Sequence, residues 1–249
     1  MEQMPSNTPV MESKPGPAGW LPVWIKAITK PYEQTFVDIT EHPDVSSKTA
    51  YIWVFIAGTV SGIIQAFSTT IRMASGVGSP FQQIPQLEQY FPQAASEGGS
   101  VGVSLIGGLC ASPLAGLFSV LFFALFVAII QWIAKLFGGT GTYEKLLYAL
   151  AAITVPFTIV SSLFILLGVI PYVGICTGVI SFGLAIYSLV LQVMAVKAVN
   201  RFGWGQAAGS VFLPGCVIFI FCACVVFGGL MLLGPVIGKT FEGINNFAP

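Results

Sequence analysis

The chain has 249 residues, of which 55% are hydrophobic and 8% charged, with a mean hydropathy of +0.85. A soluble domain carries about 25% charged residues, so this chain cannot cover an ordinary water-facing surface, and its apolar excess must face lipid. Ten basic and ten acidic side chains cancel, which removes the basic field that nucleic-acid binding needs.

Residues 1–19 are rich in Pro, Ser and Gly and lack an apolar period, which predicts a disordered cytoplasmic tail. The start shows no basic stretch followed by an apolar core, so a cleaved signal peptide is not expected. Residues 20–49 are amphipathic. Pro31 suits a first helical turn, and Tyr32, Phe36 and Ile39 then recur on one face, with Glu33, Asp38 and Glu41 opposite. With Trp20, Trp24 and Ile25 upstream, this predicts one or two short helices along the membrane surface, with Trp20, Trp24, Tyr32, Phe36 and Ile39 interfacial. The same pattern would also fit helices docked on the protein's own bundle.

A membrane domain over 50–235 follows, with five apolar segments at about 50–71, 103–134, 146–170, 172–196 and 206–233. The first is about 33 Å long at helical rise, enough to cross the hydrocarbon core. The second is too long for an upright span, so Pro113 kinks it or its first turns stand above the lipid. Pro156 lies inside the third span and Pro214 near the start of the fifth, and Pro171–Gly174 joins the third and fourth as a tight antiparallel hairpin. Residues 236–249 form an external tail. The expected fold is an all-α integral membrane protein, a five-transmembrane-helix bundle with N-terminal amphipathic surface helices.

Orientation follows from the basic residues. With the N-terminus inside, Lys14, Lys26, Lys30, Lys48, Lys135, Lys145, Lys197 and Arg201 are cytoplasmic, and Arg72 and Lys239 are external. This eight-to-two division of ten residues is a positive-inside signal. The loop over 73–100 carries Glu88 and Glu97 but no Lys or Arg, and all five tryptophans fall near the cytoplasmic interface. The expected location is a bacterial plasma membrane, with the N-terminus cytoplasmic and the C-terminus external.

Ser104, Gly108, Ser112 and Gly116 recur every fourth residue along the second span, and Gly58/Gly62, Gly174/Gly178 and Gly205/Gly209 are further pairs at that spacing. Small residues so placed let helix backbones approach closely in lipid, so the row of four is expected to face another helix. Phe137–Gly141 and Phe202–Gly205 both link spans on the cytoplasmic side and both precede a span containing proline, which hints at a parallel duplication of two hairpins.

The spans carry no Asp, Glu, His or Lys in their interiors, which argues against proton-coupled transport. Gln65, Gln131, Gln192 and Ser161–Ser162 are the remaining polar candidates. The only histidine, His42, lies outside the apolar segments, so a bilayer haem has no imidazole ligand. Cys110, Cys176, Cys216, Cys222 and Cys224 all fall in apolar stretches without a C-x-x-C pair and read as small apolar fillers. No nucleophile with a base, no phosphate loop ending in Lys-Ser or Lys-Thr and no carboxylate cluster is present. The reading is no enzyme, no cofactor and no metal.

Two segments carry a resemblance. Gly141-Thr142-Tyr143-Glu144-Lys145-Leu146-Leu147-Tyr148-Ala149-Leu150-Ala151, followed by Pro156, resembles the start of the third helix in bacterial members of the Yip (Ypt-interacting protein) domain family. Tyr187–Ala207, with Val193–Val199 and Phe202–Ala207, resembles that family's fourth-to-fifth helix junction, and the likeness covers about residues 25–235. The resemblance implies a five-helix membrane fold with a cytosolic N-terminal region. Eukaryotic members bind Rab-type GTPases in vesicle traffic. Here the Asp-Leu-Tyr-Gly-Pro motif is not legible near His42–Ser47, and Leu147 stands where the family has Gly before Tyr148. GTPase binding is therefore not carried over.

The expected function is a membrane scaffold or accessory subunit that contacts lipids and packs against other membrane proteins or a second copy. The alternatives are a passive pore or carrier for a neutral or amphipathic solute using Gln65, Ser161 and Gln192, and lipid binding or membrane shaping through residues 20–43.

Overall fold

A computed structural model describes residues 19–42, 45–75, 101–170 and 173–217, with helical positions 220, 223, 224 and 228. Among these the regular structure is helical: α1 (Trp20–Thr29), α2 (Glu33–Glu41), α3 (Ser47–Ala74), α4 (Val101–Leu136), α5 (Tyr143–Leu167), α6 (Val173–Asn200) and α7 (204–217). Four of them, α3 to α6, are long and apolar enough to cross a membrane. The second half of the expected fifth span lies largely outside the described residues, as do the N-terminal tail, Glu88, Glu97 and the C-terminal tail.

The helix ends have legible causes. Ser46 and Thr142 sit in extended backbone and accept from the Lys48 and Lys145 amides at 3.2 and 3.4 Å, capping α3 and α5. Glu144, in the first turn of α5, accepts from the Ser47 amide at 3.1 Å and its hydroxyl at 3.3 Å, which ties the start of α3 to that of α5. At the end of α4, Gly138 takes φ +87°, and the Gly138 and Gly139 amides donate to Lys135 and Ala134 carbonyls. This left-handed closure favours glycine and satisfies carbonyls that the helix leaves open.

Pro113 lies within α4, and Pro156 within α5; both helices run on through them. Proline removes the amide that would serve the carbonyl four residues back. For Pro113 that carbonyl belongs to Leu109, and the Ser112 hydroxyl donates to it at 2.8 Å.

α5 is the central helix. α3 packs on α4 and α5, α6 packs on α5, α2 on α6 and α5, and α1 on α5. Leu146 to Ile153 are consecutively buried, as expected of a helix that is apolar on every side and enclosed by others.

At the same end of the bundle, the buried side chains of Gln131 and Asn200 form a reciprocal amide pair. The Gln131 amide nitrogen donates to the Gly141 carbonyl at 2.7 Å and to Asn200 Oδ1 at 3.1 Å, and Asn200 Nδ2 donates to the Val196 carbonyl at 3.1 Å. The Asn200 carbonyl accepts from the Thr140 amide at 3.2 Å. One residue of α6 therefore holds the α4–α5 turn. Leaving a buried amide without a partner costs about 1–3 kcal/mol, so Asn200→Ala should lower the thermal unfolding midpoint in detergent, while a change at exposed Gln34 should not.

Candidate functional site

The rows of small residues come together between α3 and α4. A methyl group added at Gly108 would lie 2.6 Å from Ala66 Cβ, one at Gly62 3.2 Å from Ser112 Cβ, and one at Gly58 2.5 Å from Ser119 Oγ. At Gly116 it would lie 2.3 Å from Thr59 Oγ1 and 2.9 Å from the Phe55 carbonyl oxygen. The two helices thus cross with backbone near backbone over three turns. The buried Thr59 hydroxyl has no conventional hydrogen-bond partner, and the Cα–H of Gly116 faces it, a weak donor that such crossings use repeatedly.

The other small residues behave differently. Ser104 is half-buried on the first turn of α4. Gly174 sits beside the Gly168 carbonyl, where an added methyl would lie 3.2 Å from the oxygen, and Gly178 has nothing within 4 Å of that position. Of the Gly205/Gly209 pair, only Gly209 meets a neighbour, the Phe137 ring at 3.3 Å.

The residues expected at the membrane interface divide as well. Phe36 and Ile39 do not face a lipid surface: α2 turns them, with Thr35 and Thr40, inward against the bundle, where they are buried. Trp20 and Trp24 are half-buried around the fully buried Trp53, with ring centroids 6.0 and 5.5 Å from it in edge-on contact, and Trp53 lies 4.8 Å from Tyr148. Only Tyr32 is exposed. The polar face of α2 is used in pairing. Glu33 pairs with Lys197, Glu41 with Arg201 at 3.0 Å, and Asp38 with Lys26 at 3.3 Å. Lys197 also lies 4.6 Å from the Trp204 ring centre.

A cleft of about 470 Å³ opens among α3, α4 and α5. Val54, Ala57, Phe122, Phe126, Ile129 and Val155 give it an apolar lining, broken by the hydroxyl residues Ser119, Thr154 and Thr158. The Thr158 and Ser119 hydroxyls are already engaged with the Thr154 and Ala115 carbonyls. The cleft therefore suits an apolar group. Gln65 and Gln192 donate to Ser61 and Ser188 of their own helices, both at 3.2 Å. Ser162 meets Ser61 across α3 and α5 at 2.8 Å. Among the described residues no group of three or more His, Cys, Asp or Glu could hold a metal.

Sequence reasoning missed Ala66, Ser119 and Thr59 on the seam. The first could have been found by extending the Gly58/Gly62 spacing one further turn.

The family model for the Yip1 domain matches residues 25–226. Nothing matches among the curated proteins or among the solved structures.

Overpacking a tight contact costs about 1–3 kcal/mol. Gly116→Ala, which drives a methyl into Thr59 and the Phe55 carbonyl, should therefore lower the melting temperature in detergent. Gly178→Ala, placed in open space, should leave it unchanged or raise it slightly.

Proposed function

The chain belongs to the Yip1 domain family, and we propose that it is a non-enzymatic membrane scaffold or accessory subunit whose partner is another membrane protein or a second copy of itself. The observation that carries this reading is the cleft, together with the bare face of α4 beside it. Leu114, Phe118, Leu121, Phe122 and Leu125 project from α4 at helical spacing and are exposed. Phe118 and Phe122 stack at 6.4 Å. Between helices in lipid there is no hydrophobic force, so association rests on shape and dispersion, and an apolar cleft of this size offers both to a further helix. The small-residue seam is already used between α3 and α4, which leaves this aromatic face and cleft as the surface for a further helix.

A pore or carrier is less favoured. Gln65, Ser161 and Gln192 lie on three different helices, and none of them lines the cleft.

In this reading the end that holds α2 and the α4–α5 turn faces the cytoplasm. The alternation of α3 to α6 places Lys48, Lys135, Lys145, Lys197 and Arg201 toward that end and Arg72 at the other, and basic residues concentrate on the cytoplasmic side of membranes.

Two measurements check the proposal. A photo-reactive residue replacing Phe122 in intact membranes should give a protein adduct, whereas one replacing Ile175, exposed on α6, should give lipid adducts alone. Lipid adducts alone at both positions would overturn the scaffold reading. Reporter fusions after residue 88 should be active only in the external compartment, and fusions ahead of residue 20 only in the cytoplasm.

A further inference from the structure

α1 touches α2 through Lys26 and Asp38 but reaches further along the spans. The starts of α3 and α5 and the end of α6 share one level, as the Glu144–Ser47 and Thr140–Asn200 bonds show. α2 lies near that level, with Glu33 and Glu41 paired to Lys197 and Arg201 at the end of α6. The contacts of α1 lie further along the spans. Trp20 and Trp24 pack on Trp53, about 9 Å into α3 at helical rise, and Trp53 in turn meets Tyr148, about 8 Å into α5. The Tyr187 hydroxyl donates to the Ile28 carbonyl at 2.6 Å, and Tyr187 lies about 20 Å from the end of α6.

A helix of 28 residues, such as α3, is about 42 Å long, while the hydrocarbon core is about 30 Å thick. Shared between two ends, the excess is about 6 Å at each. The aromatic and Tyr187 contacts of α1 fall deeper than that.

The make-up of α1 agrees with this depth. Its sequence, WLPVWIKAIT, contains one charge, and Asp38 of α2 holds that Lys26. The Thr29 hydroxyl is returned to the Ile25 carbonyl at 2.7 Å. Ala27 is buried against the bundle, yet Leu21 and Ile25, one turn apart, are 58% and 51% exposed. This outward stripe is apolar.

We infer that α1 is embedded in the leaflet at the basic end of the protein, with Leu21 and Ile25 against phospholipid acyl chains. The surface is distinct from the cleft and stands whether or not a partner occupies the α4 face.

The full chain, reconstituted in vesicles of mixed zwitterionic and anionic phospholipids, can carry benzoylphenylalanine in place of Ile25 or, for comparison, of Gln34, exposed on α2. Irradiation should add the mass of a phospholipid at position 25, attached through an acyl chain, at least about tenfold more often than at position 34. Leu21→Cys should resist a membrane-impermeant thiol reagent applied to that face, with exposed Gln34→Cys as the reactive control and the native cysteines replaced. Attachment through headgroups only, a cross-link to protein, or labelling of position 21 at the rate of position 34 would each overturn the inference. A melting temperature within the error of the unsubstituted protein excludes unfolding as the cause.

Discussion

Lipid offers no hydrogen-bond partner, and the rest of this fold works within that constraint. Hydroxyls inside the spans turn back to their own helix: Ser68 to the Ile64 carbonyl, Thr70 to Ala66, Ser119 to Ala115 and Thr158 to Thr154. Ser112 does the same for the carbonyl that Pro113 leaves open. Once the polar groups are settled within helices, few remain to join one helix to another. Ser61–Ser162 is one such link, and Tyr143, which meets Tyr51 and donates to the Ala124 carbonyl at 3.1 Å, is another. Most of the cohesion must come from contact itself. The α3–α4 seam supplies it through glycine, which removes the side chain that would hold the backbones apart.

At the polar end, attachment combines two kinds of force of unequal size. The pairs Lys26–Asp38 and Arg201–Glu41 have exposed members, and such pairs contribute about 0–1 kcal/mol. Burying an aromatic or branched side chain contributes about 1.5–3 kcal/mol, and α2 buries both Phe36 and Ile39. Apolar docking therefore holds α2 down, and the ion pairs fix where along α6 it rests. The Lys197 ammonium, shared by Glu33 and the Trp204 ring, adds the start of α7 to the same patch.

How much of this was legible depended on the range of each interaction. The apolar spans and the one-sided distribution of charge are properties of continuous sequence, and they read directly. The spacing of Gly108, Ser112 and Gly116 marks one side of the seam, but their partners on α3 follow from a crossing register that no local pattern contains. The same spacing at Gly174 and Gly178 brings the latter against nothing within 4 Å, because small residues allow close approach without requiring it. Residues 20–43 were ambiguous for a physical reason: an apolar face suits lipid and protein equally. Phe36 and Ile39 went to the protein, and Tyr32 remained outside. Gln131 read only as one polar candidate among several, because its partner Asn200 lies 69 positions away.

That last separation has a consequence for biosynthesis. The chain emerges N-terminus first, so Gln131 and the Phe137–Gly141 turn leave the ribosome well before Asn200 exists. Gln131 can reach the Gly141 carbonyl within the hairpin, but until α6 arrives its carboxamide oxygen and the Thr140 amide lack the partners that Asn200 supplies, which leaves the newly made α4–α5 hairpin incompletely bonded. The hairpin is thus finished by a later segment, and the maturation of one half of the bundle waits on translation of the other.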